Sequence, residues 1–440
     1  MKTALTRKEF IRNSSVLLAG AGTGWAGRKL ADPVEQAVDK GEVIVLKNVR
    51  LETGFEWKGE EVIATKTALF SIELREGKFF AIGPNSTSSQ AIDARGWLLA
   101  PSFKDMHIHL DKTFYGGPWQ ARTRKNRTVK DMIALEEAML PDLLKTSVYR
   151  AEKLIELLQS KGTAFARSHV NIEPTSGLKS LHHLQQALET KKKGFGAELV
   201  AFPQHGLYYR DSTALMKEAA QSGIDFIGGL DPASIDGNIQ RSIDFTVQLA
   251  LDNKKGIDIH LHEGGTEGMS VVNYLVDRVM ENPALKGRTW LSHCFVLASL
   301  EANQQEAIAE KMAAAGIGIA STIPMGRSLM PIPTLLKHGV QLVTGNDSII
   351  DHWNSFGTGS VLQKANLMAQ LYGMVTELEL SQALALATGG VTALSRKGQQ
   401  QWPQPGQEAS FVLLDASCSA EAVARISPVR KLVYKGYMMG

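Results

Sequence analysis

The chain has 440 residues, 44% hydrophobic and 21% charged, which suits a soluble globular protein with one large or two smaller cores and excludes disorder, collagen and coiled coil. Lys plus Arg number 48 against 45 for Asp plus Glu, and a net charge of +3 leaves no electrostatic footprint for nucleic acid or a membrane surface. Cys294 and Cys418 are too few for a disulfide framework and form no CxxC metal pair.

Residues 1–41 read as a targeting segment. Basic Thr6-Arg7-Lys8-Glu9-Phe10-Ile11-Arg12 precedes an apolar Gly/Ala-rich run from Val16 to Ala26, too short for a stop-transfer helix. TRKEFIR resembles the twin-arginine export motif, with Lys8 where its second arginine would stand, and implies a periplasmic protein with no membrane association beyond export. The alternative is an amphipathic helix retained on a cytoplasmic protein.

From Glu42 to about Pro101, short alternating runs such as VIVLKNVRLE and TALFSIELREGKFFAIG are broken by Gly, Asn and Asp, the pattern of half-buried antiparallel strands. Two further strands, Ala409 to Leu414 and Val429 to Tyr434, lie near the other end. Both ends are β-rich and the middle is not, so residues 42–100 and 397–440 are expected to form one accessory β-sandwich domain.

Between them, residues 101–396 alternate short apolar runs with stretches of helical spacing, which predicts a parallel sheet in an α/β fold. Candidate strands are Phe103 to Leu110, Thr163 to Ile172, Glu198 to Leu207, Phe226 to Leu230, Ile257 to Glu263, Thr289 to Val296, Ile317 to Ile323 and Gln341 to Asp347. About eight βα units over about three hundred residues match a (β/α)8 TIM barrel. A doubly wound sheet would carry a Gly-rich turn where this chain has HIHLDKTF.

Seven of the 11 histidines, His107, His109, His169, His205, His260, His262 and His293, fall at or near the carboxyl ends of these strands, which converge on the catalytic face of a barrel. His182, His183, His338 and His352 fall on helices or loops and read as surface or structural residues. His107 and His109 are two apart on a strand and share a face, so both can reach one metal ion. Alone, an HxH pair is more often structural. Joined by His260, His293 and Asp347 from later strand ends, it describes a catalytic zinc or ferrous site with an open position.

In a regular strand His260 and His262 share a face while Glu263 points away. For Glu263 to join His260, the strand must end there, and Gly264-Gly265 lets the backbone turn out of the sheet. Glu263 then suits a proton shuttle; otherwise it is a solvated carboxylate at a loop start.

The ordered segments His107-Ile108-His109-Leu110-Asp111, Arg167-Ser168-His169-Val170, Val200-Ala201-Phe202-Pro203-Gln204, Asp258-Ile259-His260, Ser292-His293, Gly345-Asn346-Asp347 and Asp351-His352-Trp353 resemble the cytosine deaminase branch of the amidohydrolase superfamily. The resemblance spans the chain after Glu42 and implies a metal-dependent barrel with an accessory β domain. It implies that His107, His109, His260 and Asp347 bind one divalent ion, zinc first and ferrous iron as the alternative. It makes Glu263, His293 and Asp347 the catalytic groups: Glu263 moves the proton and His293 assists the attacking water. Gln204 reads the heterocycle, with His169 as a further substrate contact; Trp353, in the last loop, is a substrate contact if it stacks on a flat ring and otherwise packs that loop.

The implied activity is hydrolytic deamination of a small nitrogen heterocycle. Hydrolysis of a cyclic amide or an N-substituent on such a ring is the enzymatic alternative, and a non-catalytic ligand-binding protein on the same scaffold is the alternative of another class. Assembly into a homo-oligomer stays open. Ser348 after Asp347, His205 after Gln204 and the run Lys112-Thr113-Phe114 depart from the cytosine-specific pattern, so the pocket is expected to differ. Arg122, Arg124, Lys125, Arg127 and Lys130 read as a solvated basic loop on the catalytic face, and Cys294 as a buried small hydrophobe.

Overall fold

The computed structural model describes residues 43–122, 128–323 and 329–439; the signal-like segment, and Arg124, Lys125 and Arg127 of the basic run, lie outside the described residues. The chain opens with a long antiparallel hairpin of β1 (Ile44–Lys58) and β2 (Glu61–Arg75), extended by β3 (Lys78–Pro84). Alternation buries Ile44 and Leu46, and then a bulge between Leu46 and Val49 shifts the inward set to Val49 and Leu51. Short β4 (Ile92–Asp93) and β5 (Leu98–Pro101) pair in parallel with β1 and lead into the second sheet.

That sheet comprises eight parallel strands in chain order: β6 (Phe103–Ile108), β7 (Thr163–Asn171), β8 (Gly196–Phe202), β9 (Phe226–Leu230), β10 (Gly256–Leu261), β11 (Thr289–His293), β12 (Ile317–Ser321) and β13 (Leu342–Thr344). Helices from the intervening segments cover it, and β9, β10, β11 and β12 are buried at every position, as strands enclosed on both faces must be. The helix Ser147–Ser160, for example, turns Ala151, Leu154, Ile155 and Leu158 inward at helical spacing. The first and last strands meet through a bridge between Ile108 and Asp347, in which the Asp347 N–H donates to the His107 carbonyl at 2.7 Å. Gly345 allows this approach, because a Cβ there would fall 2.3 Å from the His107 oxygen. The fold is therefore the expected (β/α)8 barrel.

After the barrel, β14 (Phe411–Leu414) pairs with β5, and β15 (Val429–Tyr434) and β16 (Tyr437–Met439) complete the first sheet. The accessory β domain thus draws on both chain ends, as one continuous sheet. Leu46, Ile72, Phe79 and Leu99 from the first part of the chain share a core with Phe411 and Val433 from the last.

Most barrel strands begin within a residue or two of their expected positions but several end sooner. The third stops at Phe202, before Pro203, and the sixth at His293. His293 and Cys294 adopt φ of 66° and 53°, and Asp347 a φ of 62°, left-handed values that break the pleat where side chains turn onto the barrel face.

Candidate functional site

The site is built on a floor of imidazoles. His107 and His109 project from the end of β6, and each Nε2 lies 3.3 Å from Oδ1 of Asp347 beyond β13. His260 from β10 completes a set whose ligand atoms all fall within 4.8 Å of one another. One hydroxyl fixes the His107 tautomer: Ser292 Oγ donates to Asp258 Oδ1 at 2.6 Å, so its contact with His107 Nδ1 at 2.9 Å requires the proton on the imidazole. His107 Nε2 is buried and without a hydrogen-bond partner, as are both ring nitrogens of His260.

Burial pushes the pKa of His109 down to about 4, with the Lys112 ammonium adding to the effect, and burial likewise holds His260 and His293 well below the ordinary value. Three imidazoles around a carboxylate, with several ring nitrogens free of hydrogen bonds, are a donor set that fits a divalent cation. His169 lies behind this floor. It is fully buried, its ring centre 4.3 Å from that of His107, and both of its nitrogens lack hydrogen-bond partners.

Strand β10 ends at Leu261, so the break expected before Glu263 is present. Glu263 accepts the Ser234 backbone N–H through Oε1, while buried Oε2 has no partner. Burial raises its pKa, and the bonds from Ser234 offset this only in part. His262 stacks on His293 with ring centres 4.6 Å apart and meets Asp231 through Nδ1 at 2.9 Å.

A second group of charges forms one wall. Glu136 lies on α1 (Val129–Leu144) and is wholly buried. Its carboxylate accepts from Asn171 Nδ2 and from the Trp353 indole Nε1 at 2.9 Å, lies 3.7 Å from Lys112 Nζ and 3.8 Å from His205 Nε2. Burial alone would raise the Glu136 pKa, but Lys112 and His205 hold it well below the usual range. Burial works against the His205 cation, but Glu136 and Glu173 outweigh it and raise its pKa to about 9.

Floor and wall meet in a cavity of about 720 Å3 at the carboxyl ends of the strands. Its lining brings together His109, His260, His293, Asp347, Gln204 and Trp353, six residues singled out from sequence, together with Ser348 and Lys112. His107, His169 and Glu263 are not among the lining residues. Arg122 also lines the cavity, with its guanidinium on the Trp353 carbonyl at 3.0 Å, whereas Lys130 faces the Tyr209 ring. Cys294 is buried as expected, and burial pushes its thiol pKa up.

His352 corrects the sequence reading in part. It is buried, its ring 4.8 Å from that of Phe114, rather than a surface residue. Sequence reasoning passed over Glu136, Asp231 and Lys364. For Glu136 a signal existed: it falls on the apolar stripe of α1 with Met132, Ile133 and Leu140, where an acid needs a partner.

The sequence pattern of the amidohydrolase family matches residues 169–437. The uncharacterised protein YahJ of Escherichia coli K12 is 46% identical, the match covering 100% of this chain and 99% of that protein. The crystal structure of N-isopropylammelide isopropylaminohydrolase from Burkholderia multivorans superposes with a TM-score of 0.78 at 27% identity, covering 90% of this chain and 97% of that one. The 5-methylcytosine deaminase of Klebsiella pneumoniae, solved with phosphonocytosine, gives 0.75 at 24% identity over 90% and 98% of the two chains, a likeness of fold.

Proposed function

Because the chain belongs to the amidohydrolase family and is an enzyme acting on carbon–nitrogen bonds, we propose that it deaminates an amino-substituted nitrogen heterocycle by metal-dependent hydrolysis. The observation that carries this reading is the convergence of His107, His109, His260 and Asp347, with unpartnered imidazole nitrogens, beside a cavity of ring-binding size. These four residues would hold one divalent ion, zinc before ferrous iron. When bound, such an ion supplies a nucleophile from water near neutral pH.

The chain's own groups do the rest. Ammonia leaves readily only when protonated, and a ring nitrogen must gain a proton as its carbon becomes tetrahedral. Glu263 suits that transfer: Oε2 is a free acceptor, Oε1 is anchored by Ser234, and the raised pKa brings its two protonation states closer in energy at neutral pH. His293, kept neutral by burial, orients the attacking water, and Asp347 shares that task from the floor. Gln204 reads the edge of the ring and Trp353 covers a face. His169 supports the substrate indirectly, through the His107 ring on which it packs.

A second reading, release of an alkylamine from an N-substituted ring, draws on the 27% identity to an isopropylaminohydrolase, since the same attack expels either amine. A screen of aminopyrimidines, aminotriazines, pterins and their N-alkyl derivatives with metal-replete protein tests both. Ammonia release supports the first and alkylamine release the second, whereas release of neither from any ring contradicts the proposal. Export to the periplasm by residues 1–41 is part of the same proposal and rests on the motif TRKEFIR alone; an uncleaved chain found only in the cytoplasmic fraction would count against it.

A further inference from the structure

Three lysine or arginine side chains stand among the described residues that line the cavity, and they differ in what balances their charge. Lys112 has Glu136 at 3.7 Å. Lys364, on the helix Val361–Leu371 after the last barrel strand, is partly buried, and its Nζ donates only to the Thr322 carbonyl at 2.9 Å. A carbonyl accepts a hydrogen bond but does not neutralise an ammonium. Burial disfavours the Lys364 cation, and Asp347 and Asp105, acting from beyond ion-pair distance, offset this only in part.

No other lining group supplies the counter-charge. The carboxylate among the described lining residues is Asp347, which is already engaged with His107 and His109, each at 3.3 Å. Arg122 adds charge of the same sign, its guanidinium resting on the Trp353 carbonyl at 3.0 Å. Cations withdrawn from water are as a rule paired, so the partner of Lys364 is expected to arrive with the occupant of the cavity.

The neighbours of Lys364 suit the same occupant. Thr358 Oγ1 donates to Gln363 Oε1 at 2.6 Å, which leaves the amide nitrogen of Gln363, a donor, as the end left over. Thr358, Gln363 and Lys364 all line the cavity. An ammonium has three donors and Thr322 takes one, so two remain, enough for the two oxygens of a carboxylate.

We propose that Lys364 is a specificity-determining residue that binds a carboxylate substituent of the substrate, so that the substrate class is an acid-bearing nitrogen heterocycle. The contact is made to a substituent, from the segments after the seventh and eighth barrel strands, and not to the ring itself. This inference rests on the reading of the protein as a ring hydrolase.

Isothermal titration of metal-replete protein at neutral pH with two matched pairs tests it: 6-carboxyuracil against its carboxamide, and 6-carboxypterin against its carboxamide. The members of each pair share ring and shape and differ in charge. Wild-type protein should bind the carboxylate of each pair at least about tenfold more tightly. Lys364→Met, and separately Lys364→Gln, should bring both ratios close to one with little change for the carboxamides; a merely structural role would weaken both members alike. The wild-type ratios need no variant.

Equal binding within the pairs, preference for the carboxamides, or binding of none of the four overturns the proposal. Undiminished ratios in both Lys364 variants do the same, because the carboxylate is then held elsewhere. Failure of the amine-release screen with the carboxylate preference intact would instead strike the hydrolase reading alone.

Discussion

The floor and the wall of the cavity are both built from buried titratable groups, but they handle burial in opposite ways. On the floor, imidazoles are crowded together, burial disfavours the cations of His109 and His260, and several ring nitrogens have no partner. On the wall, Lys112, Glu136, His205 and Glu173 face one another as opposite charges, which compensates a burial cost of several kcal/mol per ion. A set of unpartnered imidazole nitrogens beside a carboxylate suits a cation, whereas a set of matched charges is a frame that holds its members still. The contrast separates the residues expected to do chemistry from those expected to aim the substrate.

The sharpest way to break this division is to remove a floor residue. Replacing His107 or His109 by Ala should strip the ion and abolish turnover, and full metal content in both variants, read by elemental analysis, would remove them from the ligand set. Glu263→Gln comes next: it should keep fold and metal yet lose at least about 100-fold in turnover, the lower end of what proton transfer supplies. Wild-type turnover with normal metal content would shift the role to His262 or His293.

Wall substitutions should instead register as stability. Trp353→Phe keeps an aromatic face but removes the indole donor to Glu136, leaving a buried carboxylate short of one bond at a cost of about 1–3 kcal/mol in urea denaturation. An unchanged midpoint would mean that the bond contributes nothing.

The smallest effect is in the pH dependence. His205 has a folded pKa of about 9, above its unfolded value of about 6.5, so its contribution is complete below about pH 6.5 and lost as pH rises through about 9. The melting temperature should therefore fall across that window more steeply in wild type than in His205→Gln. Parallel curves would show that His205 is not protonated in the fold.

The same contrast explains what could be read in advance. Floor residues sit on strand ends, where a two-residue spacing such as His107 and His109 dictates a shared face and the barrel topology brings His260, His293 and Asp347 alongside. Local sequence and fold class together were enough. Wall contacts join α1 to loops after distant strands, and no spacing relates Glu136 to Trp353, 217 positions apart. Lys112 was visible only as a departure from a motif. Its meaning depends on Gln204 and Glu136, which reach it through loop conformation that periodicity does not encode. Strand ends were overestimated for a related reason: the left-handed backbone at His293 and Asp347 is imposed by the site, not by residue preference.

A titration of metal back into chelator-stripped protein, with ammonia or amine release read at each step, tests the central claim most directly. Activity should rise in proportion to added ion and level off at one ion per chain. Full activity in the stripped protein, or a plateau reached only at two ions per chain, would contradict it.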